Sequence, residues 1–168
     1  MVNAVYGFAN TLLRVVSDHR PTHWAIAFDY PAPTFRHEEY ADYKAQRPAT
    51  PEELKGQIAR VHQLVDALGM PSFEVRGYEA DDIIATLVRE ARENGLRVVI
   101  VSADKDLLQL VGDDVVMYDT MRGKVFGPEE TIEKFGVEPR QVRDLLALMG
   151  DSSDNVPGAT GVGPKTAV

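Results

Sequence analysis

The sequence predicts an α/β fold in which helices flank a mainly parallel sheet. Short apolar runs that suit buried strands, at residues 24–28 and 96–101, alternate with longer segments whose apolar residues recur at helical spacing. These two runs lead into acidic residues, Asp29 and Asp104. Because ligands of such folds bind at the carboxyl ends of the parallel strands, we expect these acids to lie in one crevice.

The first half of the chain is predicted to hold two long helices around one strand. An amphipathic helix runs from Asn3 to about Asp18, and Arg20-Pro21 ends it. The apolar run 24–28 follows as a strand that is expected to be buried on both faces. Residues 30–51 are irregular or locally helical and form the only distinctly basic and aromatic stretch. A second helix, with Thr50 as its expected N-cap, continues to Gly69.

The second half repeats the alternation of strands and helices. In chain order we predict a strand in SFEV, a turn and helix in GYEADDIIATLVREARENG, a strand at 96–101, a short helix after Asp104, a hairpin from DVVMYD and KVFG, and helices in PEETIEKFG and EPRQVRDLLALMG.

Composition limits the possible functions. The 168 residues include no cysteine, which excludes disulfides and thiolate metal sites and is typical of a reducing cytoplasm. No apolar run is long enough to cross a membrane, and the amino terminus has no secretion-signal pattern. The net charge of -8 argues at first against a nucleic-acid partner. However, many of the acids occur in short clusters next to strands and turns, so their distribution is more informative than their sum.

Eight carboxylates occur in four segments that the predicted fold brings towards one edge of the sheet. Each alone is accounted for by helix capping, the helix dipole or a turn. Together they cannot all ionise at close range without cations. The eight are Asp29, Glu79, Asp81, Asp82, Asp104, Asp106, Asp151 and Asp154.

This oxygen-only set predicts a metal site. Such ligands select Mg²⁺ or Mn²⁺ over zinc. Two such ions about 3.5–4 Å apart are the known arrangement for in-line cleavage of a phosphodiester. A phosphate would then approach through the metals and through the basic residues Arg36, Lys44 and Arg47, so a negative total charge is compatible with DNA binding.

The last segment, LMGDSSDNVPGATGVGPKT, carries a glycine turn. Gly161, Val162 and Gly163, followed by Lys165 and Thr166, allow close approach of a phosphate to the backbone, although a plain turn is the simpler interpretation of this pattern alone.

Four linked motifs resemble one family. FDYPAPTFRHEEYADYKAQR, GYEADDIIATL, VIVSADKDLLQLV and GDSSDNVPGATGVGPKTA occur in the order and spacing of the 5′ nuclease domain of bacterial family A DNA polymerases. The resemblance covers nearly the whole chain. It implies a PIN-like 5′ nuclease fold at residues 1–136, with an arch at 30–50, and part of a helix-three-turn-helix DNA-binding motif at 137–168.

The resemblance also assigns roles to residues. It implies that the eight carboxylates bind two Mg²⁺ ions, with Asp151 supporting the others and Mn²⁺ as a substitute. Lys44 matches the arch lysine that contacts the scissile phosphate, and Arg36 matches a phosphate-binding arginine. The glycine hairpin matches the part of the motif that grips the DNA backbone and often holds a K⁺ ion through main-chain carbonyls.

Two departures from the family pattern are visible. The family begins with an apolar strand ending in Asp-Gly, which supplies a further metal ligand, and this sequence starts after it. The sequence also ends inside the second helix of the DNA-binding motif. Both departures lead us to expect a chain cut short at both ends, with reduced activity or none.

The sequence therefore predicts a metal-dependent 5′-3′ exonuclease or 5′-flap endonuclease acting on DNA in the cytoplasm, at the nucleoid, with a polymerase domain in the parent protein. One alternative is a catalytically impaired DNA-binding module derived from such a nuclease. Another is a PIN-type ribonuclease, against which the glycine hairpin and the arch argue.

Overall fold

The computed structural model describes residues 2–168 and confirms the predicted α/β fold. In this range the α-helices are α1 (Asn3–His19), α2 (Phe35–Glu39), α3 (Glu52–Ala67), α4 (Ala80–Glu93), α5 (Pro128–Phe135), α6 (Val142–Met149) and α7 (Pro164–Ala167). Two 3₁₀ helices cover Lys105–Leu110 and Pro139–Gln141. The strands are β1 (Ile26–Ala27), β2 (Ser72–Phe73), β3 (Val98–Val101), β4 (Val115–Asp119), β5 (Lys124–Phe126), β6 (Gly150–Asp151) and β7 (Val156–Pro157).

The strands form three small sheets. β1 pairs with β2 in parallel, with Ile26 opposite Ser72. β3 and β4 are also parallel, and β5 adds to β4 in the antiparallel sense, which confirms the predicted hairpin. β6 and β7 form an antiparallel pair that closes the loop between them. The two parallel pairs end next to predicted site residues.

The first predicted strand is shorter and more exposed than expected. Only Ile26–Ala27 is paired, and 43% of Trp24 is accessible to solvent. Among the described residues β1 is paired only with β2, and β3 only with β4. Because Trp24 and Ala25 are exposed and residues 26–28 are only half-buried, the expectation that residues 24–28 are buried on both faces is wrong.

Two apolar clusters hold the elements together. The larger joins α4, β3, β4 and the 3₁₀ helix through Val88, Ile100, Leu107, Leu108, Val111, Val115, Met117 and Phe126. The smaller lies between α1 and α3, where Val5, Phe8 and Leu12 pack against Val61 and Val65. The backbone NH of Ala4 also donates to Gln57 Oε1, at 2.8 Å, which links the two helices.

Helix boundaries follow local capping. α4 starts with a capping box in which the backbone NH of Glu79 donates to the Asp82 carboxylate, 3.0 Å away. α5 begins with Pro128 and ends at Gly136 in the left-handed region, φ 76°, as the sequence predicts. For α3 the predicted cap is one residue too early, because Pro51 rather than Thr50 takes the N-cap position.

None of the helices within residues 2–168 combines the length and the apolarity that crossing a membrane requires.

Candidate active site

Asp29 lies at the carboxyl end of β1, where the sequence predicts it. The backbone NH of Ala80 donates to its Oδ1 at 2.7 Å. Ala80 is the first residue of α4, so this bond joins the end of a parallel strand to the amino terminus of a helix. The positive end of the helix dipole favours a negative charge at this position.

Asp81 on α4 is close to carboxylates of three of the four acidic segments. Burial, and after it the charges of Asp104, Asp29 and Glu79, raise the pKa of Asp81 to about 6. Only groups that are close in space act on each other in this way. These four acids are therefore close in space, as predicted, although the strands that precede Asp29 and Asp104 belong to two separate small sheets.

Asp104 and Asp106 begin the 3₁₀ helix that follows β3. Asp104 Oδ1 accepts the backbone NH of Asp106 at 3.0 Å and so caps this helix. Burial, followed by the charges of Asp104 and Asp151, raises the pKa of Asp106 to about 6. The Oδ1 atom of Asp106 is buried without a hydrogen-bond partner. A buried acceptor of this kind is costly unless a cation or donor reaches it.

The β6–β7 loop supplies the fourth acidic segment. Asp151 Oδ1 accepts the backbone NH of Ser153 at 2.8 Å, and Lys105 Nζ lies 3.1 Å from Asp151 Oδ2. Burial opposes ionisation here, but the Ser153 NH and the Lys105 ammonium hold the pKa of Asp151 below its usual value. Asp154 lies in the same loop and is connected to Glu79 through the hydroxyl of Tyr43, which is within hydrogen-bond distance of both.

Cations of the basic stretch are paired with these carboxylates. Arg36 donates two hydrogen bonds of 2.7 Å to the two carboxylate oxygens of Asp82. This pairing holds the pKa of Asp82 low and raises that of Arg36. Lys44 Nζ lies 2.9 Å from both oxygens of Glu79.

Asp154 receives the remaining two cationic contacts. Arg47 donates to Asp154 Oδ1 at 2.6 Å, and Lys44 Nζ lies 3.7 Å from Asp154 Oδ2. The structure thus interleaves three basic side chains of one segment with three acids from two others.

Tyr43 also belongs to this site, although the sequence analysis did not identify it. Its hydroxyl lies 3.0 Å from Glu79 Oε2 and 2.9 Å from Asp154 Oδ2, so it bridges two acidic segments. Only 7% of the residue is exposed, and burial together with its bond to Asp154 raises the pKa of the phenol. In the sequence, only its position directly before Lys44 indicates that Tyr43 is part of the site.

Residues 40–47 are fastened to the β6–β7 loop by main-chain contacts as well. The backbone NH of Lys44 donates to the carbonyl of Asp154 at 2.9 Å, and Lys44 itself has a positive φ of 55°. Gln46 Nε2 donates to the carbonyl of Ser152 at 2.9 Å, and Asn155 Nδ2 donates to that of Asp42 at 2.8 Å. The basic segment is therefore held over the acids.

The glycine turn near the carboxyl terminus lies apart from these ion pairs. Gly161 has φ 79°, a conformation that favours glycine, and Gly163 caps the short helix α7. A Cβ added at either glycine would meet no atom within 4 Å, so the backbone here is open to a ligand. Lys165 and Thr166 lie on α7.

Among residues 2–168 one concavity adjoins the carboxylates, and a second lies elsewhere. A cavity of about 600 Å³ is bordered by Asp106, Asp151 and Asp154, by Tyr40 and by Arg143 among other residues. A groove of about 540 Å³ lies along the carboxyl-terminal half of α4 and contains none of the predicted site residues. Because the first concavity alone reaches the acids, we regard it as the approach to the site.

Within residues 2–168, no three His, Asp or Glu side chains are arranged as a ready metal cluster, and the basic side chains separate the acids instead. The residues nevertheless suit a hard divalent ion. All the donors are oxygens, and one of them, Asp106 Oδ1, is buried without a partner.

Comparisons with known proteins agree with this geometry. The family model for the 5′-3′ exonuclease N-terminal resolvase-like domain matches residues 1–136, and that for the 5′-3′ exonuclease C-terminal SAM fold matches residues 137–168.

Relatives among characterised sequences carry corresponding names. The chain is 49% identical to the 5′-3′ exonuclease of Aquifex aeolicus, over 99% of this chain and 57% of that protein. It is 50% identical to the DNA polymerase I of Rhizobium leguminosarum, over 99% of this chain and 17% of that protein. The chain thus spans little more than half of one relative and about a sixth of the other.

A solved structure of T5 5′-exonuclease with bound divalent metal ions (zinc) superimposes with a TM-score of 0.79 at 25% sequence identity. The match covers 96% of this chain and 64% of that one.

Proposed function

The chain belongs to the 5′-3′ exonuclease family, and from that membership we propose that it forms the catalytic crevice of a metal-dependent 5′-3′ exonuclease and structure-specific 5′-flap endonuclease. The reaction is hydrolysis of a DNA phosphodiester near a 5′ end or flap, which leaves a 3′-hydroxyl and a 5′-phosphate. The convergence of carboxylates from four segments, interleaved with Arg36, Lys44 and Arg47, is the observation that carries this proposal.

The eight acids are the proposed metal ligands. They are Asp29, Glu79, Asp81, Asp82, Asp104, Asp106, Asp154 and, in support, Asp151. A divalent cofactor suits them, and we propose two Mg²⁺ ions with Mn²⁺ as a substitute, because the donors are hard oxygens. When bound, such ions stabilise the charge that develops on the attacking and leaving oxygens.

The basic residues are proposed to hold the substrate phosphate. Arg36 is fixed by its paired bonds to Asp82, so its remaining N–H groups keep a defined direction. Lys44 is the cation placed to move from Glu79 to a phosphate, since its stem is flexible and its ammonium is not held in a fork. Its charge would act most strongly as negative charge develops in the transition state.

The DNA grip is proposed to extend from Arg47 to the glycine turn. Gly161, Val162 and Gly163 leave their backbone open to a phosphate, and Lys165 and Thr166 follow on α7. We also propose a K⁺ site at this turn. We propose that residues 1–136 form the nuclease domain and that residues 137–168 form the DNA-binding region.

The proposed partner is DNA with a 5′ flap or a 5′ end, in a parent protein that includes a polymerase domain. We propose that it acts on chromosomal DNA in the cytoplasm, at the nucleoid.

Cleavage of a labelled 5′-flap substrate tests the proposal. We expect products ending at the flap junction in Mg²⁺ and none in chelator. Asp104→Asn should reduce cleavage strongly, whereas Asp66→Asn, on the exposed side of α3, should leave it unchanged. Flap binding without cleavage in either Mg²⁺ or Mn²⁺ would favour the impaired DNA-binding module, and cleavage of RNA in place of DNA would favour a ribonuclease.

A further inference from the structure

Tyr78 is an exposed aromatic residue next to the carboxylate crevice. It directly precedes Glu79, the N-cap of α4, and half of it, 50%, is accessible to solvent. Beyond the carboxyl end of β1, Tyr30 follows Asp29 and is also exposed. The bond between Asp29 and the NH of Ala80 brings the two chain segments together. Aromatic surface therefore borders the acids on this flank.

The position of Tyr78 is fixed by its backbone. Its NH donates to the carbonyl of Val75 at 3.1 Å, which closes a turn. Gly77 has φ 86° in this turn, and its carbonyl accepts the NH of Phe35 at 3.0 Å. The turn is thus bonded to the first residue of α2.

The ring of Tyr78 is supported from behind. It packs against Phe35 with the centroids 5.7 Å apart and the planes inclined at 57°. The guanidinium of Arg36 lies 4.6 Å from the centroid of Phe35 and binds Asp82. A continuous series of contacts therefore connects the exposed ring to a carboxylate of the site.

An ordinary surface tyrosine lacks this setting. Tyr6 on α1 is 70% exposed and has no aromatic neighbour in the described part of the chain. An exposed ring that is held rigidly loses little conformational freedom when another flat ring stacks on it. Rigid support thus distinguishes Tyr78 as a candidate contact surface.

We propose that Tyr78, supported by Phe35, is a stacking subsite for a nucleobase of the DNA strand whose phosphate occupies the carboxylate crevice. This inference rests on the proposed function. A base and its phosphate are joined through a single sugar, so a phosphate at the acids brings its own or the adjacent base to the residues that flank them. Stacking on an aromatic ring tolerates any base, because every base has a π face.

The test measures binding under conditions that do not permit cleavage. Flap DNA carrying 2-aminopurine at successive positions on either side of the junction is titrated with protein in Ca²⁺ instead of Mg²⁺, because Ca²⁺ binds carboxylate oxygens and is expected not to support cleavage. We expect the fluorescence of one position to fall on binding to the natural protein and to Tyr78→Phe, because both can stack. Tyr78→Ala should abolish that change and weaken binding by about tenfold, within the range found for base–aromatic stacking. Tyr6→Ala is the matched control and should behave as the natural protein.

An abasic nucleotide at the same position completes a double cycle. It should weaken binding to the natural protein by a similar factor and make no further difference to Tyr78→Ala. If the losses of affinity caused by Tyr78→Ala and by the abasic nucleotide add up, or if Tyr78→Ala binds flap DNA as tightly as the natural protein does, the stacking subsite is overturned. Either result leaves the nuclease proposal intact. A natural protein that binds no DNA would overturn both. Equal melting temperatures of Tyr78→Ala and Tyr78→Phe establish that the comparison concerns folded protein.

Discussion

The guanidinium of Arg36 holds both carboxylate oxygens of Asp82, with two hydrogen bonds of 2.7 Å. This pair fastens the short helix α2 to the first turn of α4. The contact joins residues 46 positions apart in the chain, so it contributes to tertiary structure as well as to the site.

Replacing Arg36 should therefore reduce stability as well as activity. We expect Arg36→Ala to lower the free energy of unfolding by about 1–2 kcal/mol, because a partly buried carboxylate loses a charged donor. Urea denaturation at neutral pH measures this difference. Arg60→Ala, at an exposed position of α3, is the control and should change stability by less than about 0.5 kcal/mol. Equal stability of the two variants would contradict the structural role of the pair.

Asp106 predicts a pH dependence of stability. The pKa of the Asp106 carboxyl is about 6 in the folded protein and about 3.9 in an unfolded chain. The contribution of Asp106 to the free energy of unfolding is therefore fully present below pH 4 and is lost as the pH rises through 6. In chelator at pH 8, Asp106→Asn should melt about 2–4 °C higher than the natural protein, the shift that about 1 kcal/mol produces in a domain of this size. The difference should vanish near pH 4.

Thermal denaturation with and without Mg²⁺ completes this experiment. Mg²⁺ should raise the melting temperature of the natural protein more than that of Asp106→Asn, because the variant has lost an ionised ligand. Asp113→Asn, in the exposed turn before β4, should respond to both pH and Mg²⁺ as the natural protein does.

The hydroxyl of Tyr43 is expected to contribute to stability separately from its ring. Tyr43→Phe keeps the edge-on contact with His37 but removes the hydroxyl whose single proton is donated to Glu79 or Asp154. We expect the free energy of unfolding to fall by about 1–2 kcal/mol. Tyr40→Phe, whose hydroxyl bonds to the carbonyl of Asn155 at 3.2 Å in a more exposed position, should cost clearly less. Urea denaturation of the two variants measures the difference. An equal loss of stability in Tyr43→Phe and Tyr40→Phe would contradict a special role of the Tyr43 hydroxyl between the two acidic segments.

Lys44 is expected to compete with metal for Glu79. Lys44→Met should strengthen Mn²⁺ binding in the absence of DNA by about threefold to tenfold, because it removes a cation 2.9 Å from the Glu79 carboxylate. Calorimetric titration measures the affinity. Lys55→Met removes an exposed pairing with Glu52, remote from the site, and should leave the Mn²⁺ affinity unchanged. Weaker metal binding in Lys44→Met would show that the lysine supports the site rather than competing for it.

Gly158 allows a close backbone approach next to the acidic loop. A Cβ at this position would lie 2.4 Å from the carbonyl carbon of Met149 and 2.5 Å from the nitrogen of Gly150. We expect Gly158→Ala to cost about 2 kcal/mol or more, because main-chain atoms must move. Gly56→Ala, inside α3 with free space around it, should instead stabilise by about 0.5–1 kcal/mol. Melting curves of the two variants provide the comparison.

The sequence predicted those site residues whose positions follow from local structure. Asp29 and Asp104 follow the ends of β1 and β3 within a few residues, and Glu79, Asp81 and Asp82 lie at the amino terminus of α4, which is where a ligand crevice of an α/β fold is expected. Tyr43 was missed because its partners are 36 and 111 positions away, and no local pattern indicates which acid a tyrosine will meet. Lys105 was missed in the same way, since its pairing with Asp151 depends on where the β6–β7 loop folds back.

The extent of β1 was overestimated for a related reason. Apolar residues at 24–28 indicate a strand, but burial on two faces depends on neighbours that a local pattern does not specify. The exposure of Trp24 is the result.

The bonds between residues 40–47 and the β6–β7 loop have a consequence during protein synthesis. They join segments about 110 positions apart, for example Lys44 and Asp154, so the crevice depends on contacts of high sequence separation. Ribosomes add about 5–20 residues per second, and segments folding early must wait for their distant partners. A nascent chain therefore carries Lys44 and its neighbours for several seconds before Asp154 exists, and the crevice assembles only after the β6–β7 loop has been synthesised.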